Sequence, residues 1–270
     1  MSNRALVSFF LSAFGVFASP SDPTSVADKT PASSAGVSSE QRQVLDRARA
    51  VNDDTYATLK SFVCREEMQR YKGDLPGSKK RSVDHVFANL SFENGVEHYS
   101  NIHQNDRTRA TMSDISGAWS EGEFGTLLQQ TAKLLEIQSV TFVSFVALGD
   151  VPAAVYRFDV AEKESPWDLE VGSEHFQIPF TTDVWISVAT GEILKIARKS
   201  LSIPAETHIS EIDWNVSLAA VDLNGKTWLL PCEAAYAVSY VESKRREWNQ
   251  MSFSDYHRYG AESALKFDGF

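Results

Sequence analysis

Three pairs of strand-like runs, each joined by a short turn that contains glycine, constrain this fold more than any other feature of the sequence. The turn "ENG" at residues 93–95 separates the runs 82–92 and 96–102. The turns "ATG" at 189–191 and "NG" at 224–225 separate runs of the same kind. Asn-Gly between two such runs is the strongest short hairpin signal, because these residues adopt positive φ at low cost. The pattern therefore predicts a sheet built from antiparallel hairpins.

A fourth pair of strands is predicted from the alternation of apolar and polar residues. In "AAVYRFDV", residues 153–160, Tyr156 and Phe158 lie on the face opposite Arg157 and Asp159, so one face of this strand is buried. The preceding run "SVTFVSFVAL", residues 139–148, is apolar on both faces. Its second face is therefore expected to be covered by a helix.

An amphipathic helix is predicted over residues 39–61. Ser38 and Gln41 have the spacing of a capping box, in which each side chain accepts a hydrogen bond from the backbone of the other residue. Apolar residues then follow at near-helical spacing. These residues are Val44, Ala48, Val51, Leu59 and Phe62.

A second helix is predicted over residues 121–135. Ser120 and Glu123 have the capping-box spacing, and both Glu121 and Glu123 would favour the positive end of the helix dipole. We therefore interpret Ser120 and Glu123 as the helix cap. The apolar stripe that follows consists of Phe124, Leu127, Leu128, Thr131, Leu134 and Leu135.

These elements predict one α+β domain over residues 38–270. It contains a long, curled antiparallel sheet, or half-barrel, with the N-terminal helix and the second helix packed on its concave face. Such a sheet leaves a cavity between its layers, where an apolar ligand would bind. The residues expected to line this cavity are Phe124, Leu127, Leu128, Phe142, Phe145, Tyr156, Phe158 and Trp214.

The first 18 residues have the features of a secretory signal peptide. Arg4 precedes an apolar run at 5–18 that ends in the small-residue pattern of a cleavage site. Because a transmembrane helix needs roughly 20 residues, the mature chain is expected to contain no transmembrane segment. No cysteine that could carry a lipid anchor lies near the cleavage site. Residues 19–37, rich in Ser, Pro, Ala and Thr, predict a flexible linker, and the protein is expected to be periplasmic or secreted.

Charge and cysteine content limit the partners and covalent links of the chain. The formal charge of −10 repels phosphate backbones, so nucleic acid is not an expected partner. Cys64 and Cys232 are the two cysteines, and export to an oxidising compartment predicts a disulfide between them. Two buried free thiols are the alternative, because the sequence does not give the distance between the two Cα atoms.

The stretch "AWSEG", residues 118–122, differs by one residue from the G-x-S-x-G pattern that presents a nucleophilic serine. A nucleophile elbow needs a buried strand before the serine, and the polar residues 105–117 make a poor strand. An esterase-like hydrolase using Ser120 is therefore a minor alternative. The six histidines do not have the spacing of a zinc site, and neither a metal nor a cofactor is expected.

Five blocks of the sequence carry a family resemblance: "FVCREEMQRY", "LSFENGVEHYSNI", "GAWSEGEFGTLL", "DVWISVATGEILKIARKS" and "MSFSDYHRYGAESALKF". With these blocks the chain resembles a group of uncharacterised exported proteins of acidobacteria. It is more distantly similar to the outer-membrane lipoprotein-sorting (LolA/LolB-like) half-barrel fold, through the hairpin "VWISVATGEILKI" and the order of helices and strands. That resemblance implies an incomplete antiparallel barrel, closed by helices, whose apolar interior holds acyl chains.

Together these features predict an exported, non-catalytic protein that binds an acyl chain or another apolar ligand in its half-barrel. The alternative is a structural or interaction module of the cell envelope, with a filled core and an envelope protein as partner. An apolar pocket of at least roughly 300 Å³ would favour the first hypothesis over the second.

Overall fold

The computed structural model describes residues 38–60, 62–74, 79–93 and 95–258. The predicted signal peptide (1–18) and linker (19–37) lie outside the described residues. The described residues form two α-helices, α1 (Ser39–Leu59) and α2 (Thr126–Ile137). The strands are β1 (Phe62–Asp74), β2 (Arg81–Glu93), β3 (Val96–Gln104), β4 (Arg107–Arg109), β5 (Thr141–Leu148), β6 (Val151–Val160), β7 (Asp168–Val171), β8 (Glu174–Gln177), β9 (Phe180–Ser187), β10 (Ile193–Ser200), β11 (Ile209–Leu223), β12 (Lys226–Tyr240) and β13 (Arg245–Arg258).

Eleven strands pair antiparallel into one sheet, in the order β4-β3-β2-β1-β13-β12-β11-β10-β9-β6-β5. The remaining two strands, β7 and β8, form a separate hairpin. The large sheet is curled but not closed, and β4 and β5 are its edges. The predicted α+β half-barrel, with two helices on its concave face, is therefore confirmed.

All four predicted hairpins are present. In the β2–β3 hairpin Phe92 pairs with Glu97, which places the glutamate on the buried face beside the turn. The hairpins β5–β6, β9–β10 and β11–β12 also pair antiparallel across their predicted turns. Alternation and turn residues act over a few positions only, which is why the sequence predicts them well.

The capping box at the start of α1 is confirmed. The backbone nitrogen of Ser38 donates to Oε1 of Gln41 at 2.7 Å, and that of Gln41 donates to Oγ of Ser38 at 3.3 Å. The helix lies on the β9–β10 hairpin, where the amide of Asn52 donates to the carbonyl of Gly191 and accepts from the backbone nitrogen of Ile193, both at 3.2 Å. Within the described ranges, neither helix combines the length and the apolar character needed to cross a bilayer.

The predicted start and cap of the second helix are wrong. The helix α2 begins at Thr126, with Gly125 at the N-cap position and no side-chain cap bond. Ser120 instead donates its hydroxyl to the carboxylate of Glu123. The loop before α2 departs from a helical path because Gly122 has a φ of +116°. The apolar stripe was placed correctly, since Leu127, Leu128, Thr131, Leu134 and Leu135 are buried.

The expectation that a helix covers the second face of residues 139–148 is also wrong. Among the described strands, β5 pairs with β6 alone, and it forms one edge of the sheet. Phe145 is 45% exposed, and Val143 and Val146 are exposed as well. The first helix packs on α2 and β9 instead, so this apolar edge faces solvent.

The predicted disulfide is contradicted, because Cys64 and Cys232 are both free thiols. Cys64 lies on β1 and Cys232 on β12, and β13 lies between these two strands. Two strand spacings of about 4.8 Å put the two Cα atoms roughly 9–10 Å apart or more. A disulfide requires a Cα separation of about 4.4–6.8 Å. The strand order therefore prevents the bond.

Candidate functional site

A cavity of about 360 Å³ lies beside the helix start. It is bordered by the first residues of β3, the loop before α2, residues 166–170 and the inner faces of β11 and β12. Four aromatic residues form part of its wall, and we call it the aromatic cavity after them. These residues are Trp119, Trp167, Trp214 and Tyr236.

Three of the four aromatic rings of the wall contact one another. The rings of Trp167 and Trp214 have centroids 5.8 Å apart, and those of Trp214 and Tyr236 are 6.1 Å apart in an edge-to-face arrangement. The indole nitrogen of Trp214 donates to Oε1 of Glu123 at 3.0 Å. The backbone of Trp167 is held by hydrogen bonds with Ser165 and Ile178. These contacts give the rings of Trp167, Trp214 and Tyr236 defined orientations.

Glu97 holds the loop before α2 at the edge of the cavity. Its carboxylate accepts backbone hydrogen bonds from Gly122, Phe124, Gly125 and Thr126, at 3.0, 3.0, 2.9 and 3.3 Å. Burial raises the pKa of Glu97, whereas the hydrogen bonds from Gly125 and its neighbours act in the opposite direction. A carboxylate on β3 thus accepts hydrogen bonds from the free backbone N–H groups at the start of α2.

Ser120 and Glu123 belong to a buried polar network and not to the helix cap. The Ser120 side chain is 2% exposed, and its hydroxyl donates to the Glu123 carboxylate that also receives the Trp214 indole. Residues 115–120 form no strand. The local structure therefore differs from a nucleophile elbow, which requires a strand directly before the serine.

Glu66, on β1, is a buried acid behind this network. Burial, followed by the negative charges of Glu123 and Glu97, holds the pKa of Glu66 well above its ordinary value. Its Oε2 atom has no hydrogen-bond partner among the described residues. These surroundings favour the neutral form of Glu66, because an additional negative charge here would be neither hydrated nor paired.

Glu121 lies in the exposed part of the aromatic cavity. The surrounding protein partly removes water from its carboxyl group, and Glu97 and Glu170 add negative potential. Together these effects raise the pKa of Glu121 from 4.5 to about 7. A group with this pKa changes its charge near neutral pH.

A buried arginine, Arg198, lies behind the cavity wall. Its guanidinium is centred 4.4 Å from the Phe180 ring centroid, and it donates to Gln130 at 2.8 Å and to Thr131 at 3.3 Å. Gln130 lines the cavity, whereas Arg198 does not. Burial lowers the pKa of Arg198 to about 9. None of the described carboxylates forms an ion pair with this residue.

The residues that were predicted to line one cavity lie in different parts of the structure. Trp214 borders the aromatic cavity. Phe124, Leu127, Leu128, Tyr156 and Phe158 are buried in the core. Phe142 is partly buried against Tyr156 in an edge-to-face contact, and Phe145 is exposed on the edge strand.

Most of the residues that form the cavity were missed from the sequence. Glu97 could have been found from alternation, because it lies on the inward face of β3 directly after the turn. Trp119 and Trp167 lie outside regular strands and carry no periodic signal. Within the described part of the chain, no group of three or more His, Cys, Asp and Glu side chains is arranged so that it could hold a metal ion.

Several solved structures are similar to this chain. No protein-family model and no curated protein matches it. A LolA superfamily protein from Nitrosomonas europaea is 9% identical, with a TM-score of 0.32 over 81% of this chain and 93% of that protein. A DUF1329 family protein from Desulfovibrio piger is 8% identical, with a TM-score of 0.37 over 83% and 94%. Lipoprotein LppX from Mycobacterium tuberculosis is 10% identical, with a TM-score of 0.25 over 80% and 95%. LolA-superfamily and lipoprotein structures are thus among the neighbours, but TM-scores this low assign neither a family nor a ligand to this chain.

Proposed function

We propose that this chain is an exported binding protein that holds an apolar ligand, such as an acyl chain, in the aromatic cavity. The observation that supports this function best is an aromatic wall on a cavity of about 360 Å³. Its volume lies within the range of about 300–1,000 Å³ that is typical of small-molecule sites. Covering apolar surface yields about 25 cal/mol per Å², so an apolar ligand would gain free energy there.

Because contacts within the protein already hold the aromatic wall, binding a ligand there should cost little side-chain conformational entropy. Trp214 is held by Glu123, and the loop that carries Trp119 is held at its far end by Glu97. Side chains that are already ordered lose little conformational entropy when a ligand arrives. The cavity is therefore suited to reversible binding of the apolar part of a ligand.

Calorimetric titration with 1-decanol tests this function. Val96 borders the cavity and is 56% exposed at the start of β3, so Val96→Trp should obstruct the cavity without disturbing the core. We expect this substitution to weaken binding about tenfold or more, which corresponds to about 1.4 kcal/mol. The matched control is Val151→Trp, because Val151 is also an exposed first residue of a strand and does not border the cavity. Absence of 1-decanol binding by the unmodified protein would reject the proposal.

Export is the second part of the proposal, and it is based on the features of residues 1–18. The mass of the protein recovered from an envelope fraction tests it directly. A chain lacking about the first 18 residues supports export. A full-length chain in the cytoplasmic fraction would contradict it.

The packed core favours a second candidate, a structural or interaction module of the cell envelope. The apolar stripe of α2 is buried, so most of the space between helix and sheet is filled by the protein itself. In this case 1-decanol would not bind, and Val96→Trp would behave like the unmodified protein. The same titration therefore separates the two candidates.

A further inference from the structure

The charged side chains that line the aromatic cavity all carry the same sign. They are the carboxylates Glu97, Glu121, Asp168 and Glu170. Among the described residues that line the cavity, none is lysine, arginine or histidine. The wall therefore combines aromatic rings with negative charge.

Two of these carboxylates have hydrogen-bond or ion-pair partners in the protein, and two do not. Glu97 accepts four backbone N–H groups, and Asp168 is 2.7 Å from Nδ1 of His175. Glu121 and Glu170 have no hydrogen-bond or ion-pair partner within the described part of the chain. The electrostatic effect of Glu170 on Glu121 is repulsive. A positive charge bound between them would remove this repulsion.

The aromatic rings supply a second attraction for the same kind of group. The face of a tryptophan or tyrosine ring is negative and attracts an ammonium group within about 6 Å of its centroid. Trp119 borders the cavity together with Glu121, two residues further along the same loop. An alkyl ammonium group bound here would therefore lie in a cavity that is lined by both carboxylates and aromatic rings.

Arg198 is a nearby positive charge that would repel a cation bound in the cavity. It is 2% exposed and does not line the cavity, but its guanidinium is centred 5.8 Å from the ring centroid of the wall residue Trp214 and 4.4 Å from that of Phe180. The charged or titratable groups that face Glu121 or lie close behind the wall include both signs. They are Glu66 on β1, Glu97 on β3, Glu123 on the same loop, Asp168 and Glu170 on β7, His175 on β8 and Arg198 on β10.

From the carboxylates and aromatic rings that share one wall, we infer that the cavity selects amphiphiles with a cationic amine or quaternary ammonium head. This inference rests on the proposed function, since the same cavity must first accept the apolar chain. Burial, followed by the negative charges of Glu97 and Glu170, raises the pKa of Glu121, and these two charges would also stabilise a bound cation.

Three probes with the same decyl chain test the inference: decyltrimethylammonium, 1-decanol and decanoate. Their affinities are measured by calorimetry at low salt and about pH 8, with each probe below its micelle concentration. We expect the ammonium probe to bind about tenfold more tightly than 1-decanol, a ratio typical of a cation–π contact with partial desolvation. Decanoate should bind most weakly.

A double substitution, Glu121→Gln with Glu170→Gln, identifies the groups responsible. It should remove most of the preference for the ammonium probe and leave the affinity for 1-decanol unchanged. The matched control is Glu162→Gln with Glu206→Gln, because both residues are exposed and neither borders the cavity. This control should keep the preference of the unmodified protein.

The possible results separate the inference from the proposed function. Equal affinity for all three probes overturns the inference and leaves apolar binding intact. Tightest binding of decanoate also overturns it. If none of the probes binds, the proposed function itself fails.

Discussion

The Oε1 atom of Glu97, on β3, lies 2.9 Å from the backbone nitrogen of Gly125, which immediately precedes α2. The two residues are 28 positions apart in the sequence. This contact fixes both the start of the helix and one wall of the aromatic cavity. A single buried carboxylate therefore connects the stability of the fold to the shape of the candidate site.

Replacing this carboxylate should destabilise the protein. In Glu97→Gln the charge is lost, and the amide NH₂ group would face backbone N–H donors that need an acceptor. We expect the free energy of unfolding to fall by about 2 kcal/mol or more, since hydrogen bonds to charged groups contribute about 1.5–3 kcal/mol each. Urea denaturation measures this change, with Glu93→Gln on the exposed end of β2 as the control. A loss below about 0.5 kcal/mol would show that Glu97 does not support the helix start.

Two hairpin glycines should respond differently to alanine. Gly191 and Gly225 have φ of +80° and +77°, so both substitutions cost about 1–2 kcal/mol of backbone strain. A Cβ on Gly191 would also lie 2.8 Å from the backbone carbonyl carbon of Arg47, whereas a Cβ on Gly225 would meet nothing within 4 Å. We expect Gly191→Ala to cost about 1–3 kcal/mol more than Gly225→Ala, as overpacking usually does. Equal losses in thermal or urea unfolding would mean that α1 is not held tightly against this hairpin.

Both cysteines should be found as free thiols in protein prepared without reductant. Thiol titration in denaturant is expected to detect both groups, because β13 separates the strands that carry them. In the folded protein Cys64 should react slowly, since burial raises its thiol pKa well above the ordinary value and the thiolate is the reactive form. An increase in the thiol count after reduction would instead reveal a disulfide.

Protonation of Glu121 should make the stability of the protein depend on pH. Its pKa rises from 4.5 to about 7 on folding, so the folded state holds the proton more tightly between these values. The contribution of this group to stability therefore falls as pH rises through this window. Relative to the unmodified protein, Glu121→Gln should gain melting temperature between about pH 5 and pH 8. A difference that is the same at both pH values would contradict the raised pKa.

The candidate site was much less predictable than the fold. The sequence indicated Trp214 as a cavity residue, but the remaining predicted lining residues are buried in the core or lie at the β5 edge. The residues that build the cavity come from β3, β7 and the residues before it, β11, β12, the loop before α2 and α2 itself. Their proximity depends on how distant strands are ordered in the sheet, and periodicity within one strand carries no such information.

The sequence alone determined the four hairpins, the antiparallel sheet and the capping box of α1. Each of these depends on residues a few positions apart, so short-range alternation, turn residues and side-chain spacing specify them. Only the tertiary structure decided where α2 begins, because Glu97 supplies its capping groups from another strand. It also decided that Cys64 and Cys232 stay apart, because β13 lies between their strands. Both outcomes depend on contacts between residues far apart in the chain, which local propensity does not encode.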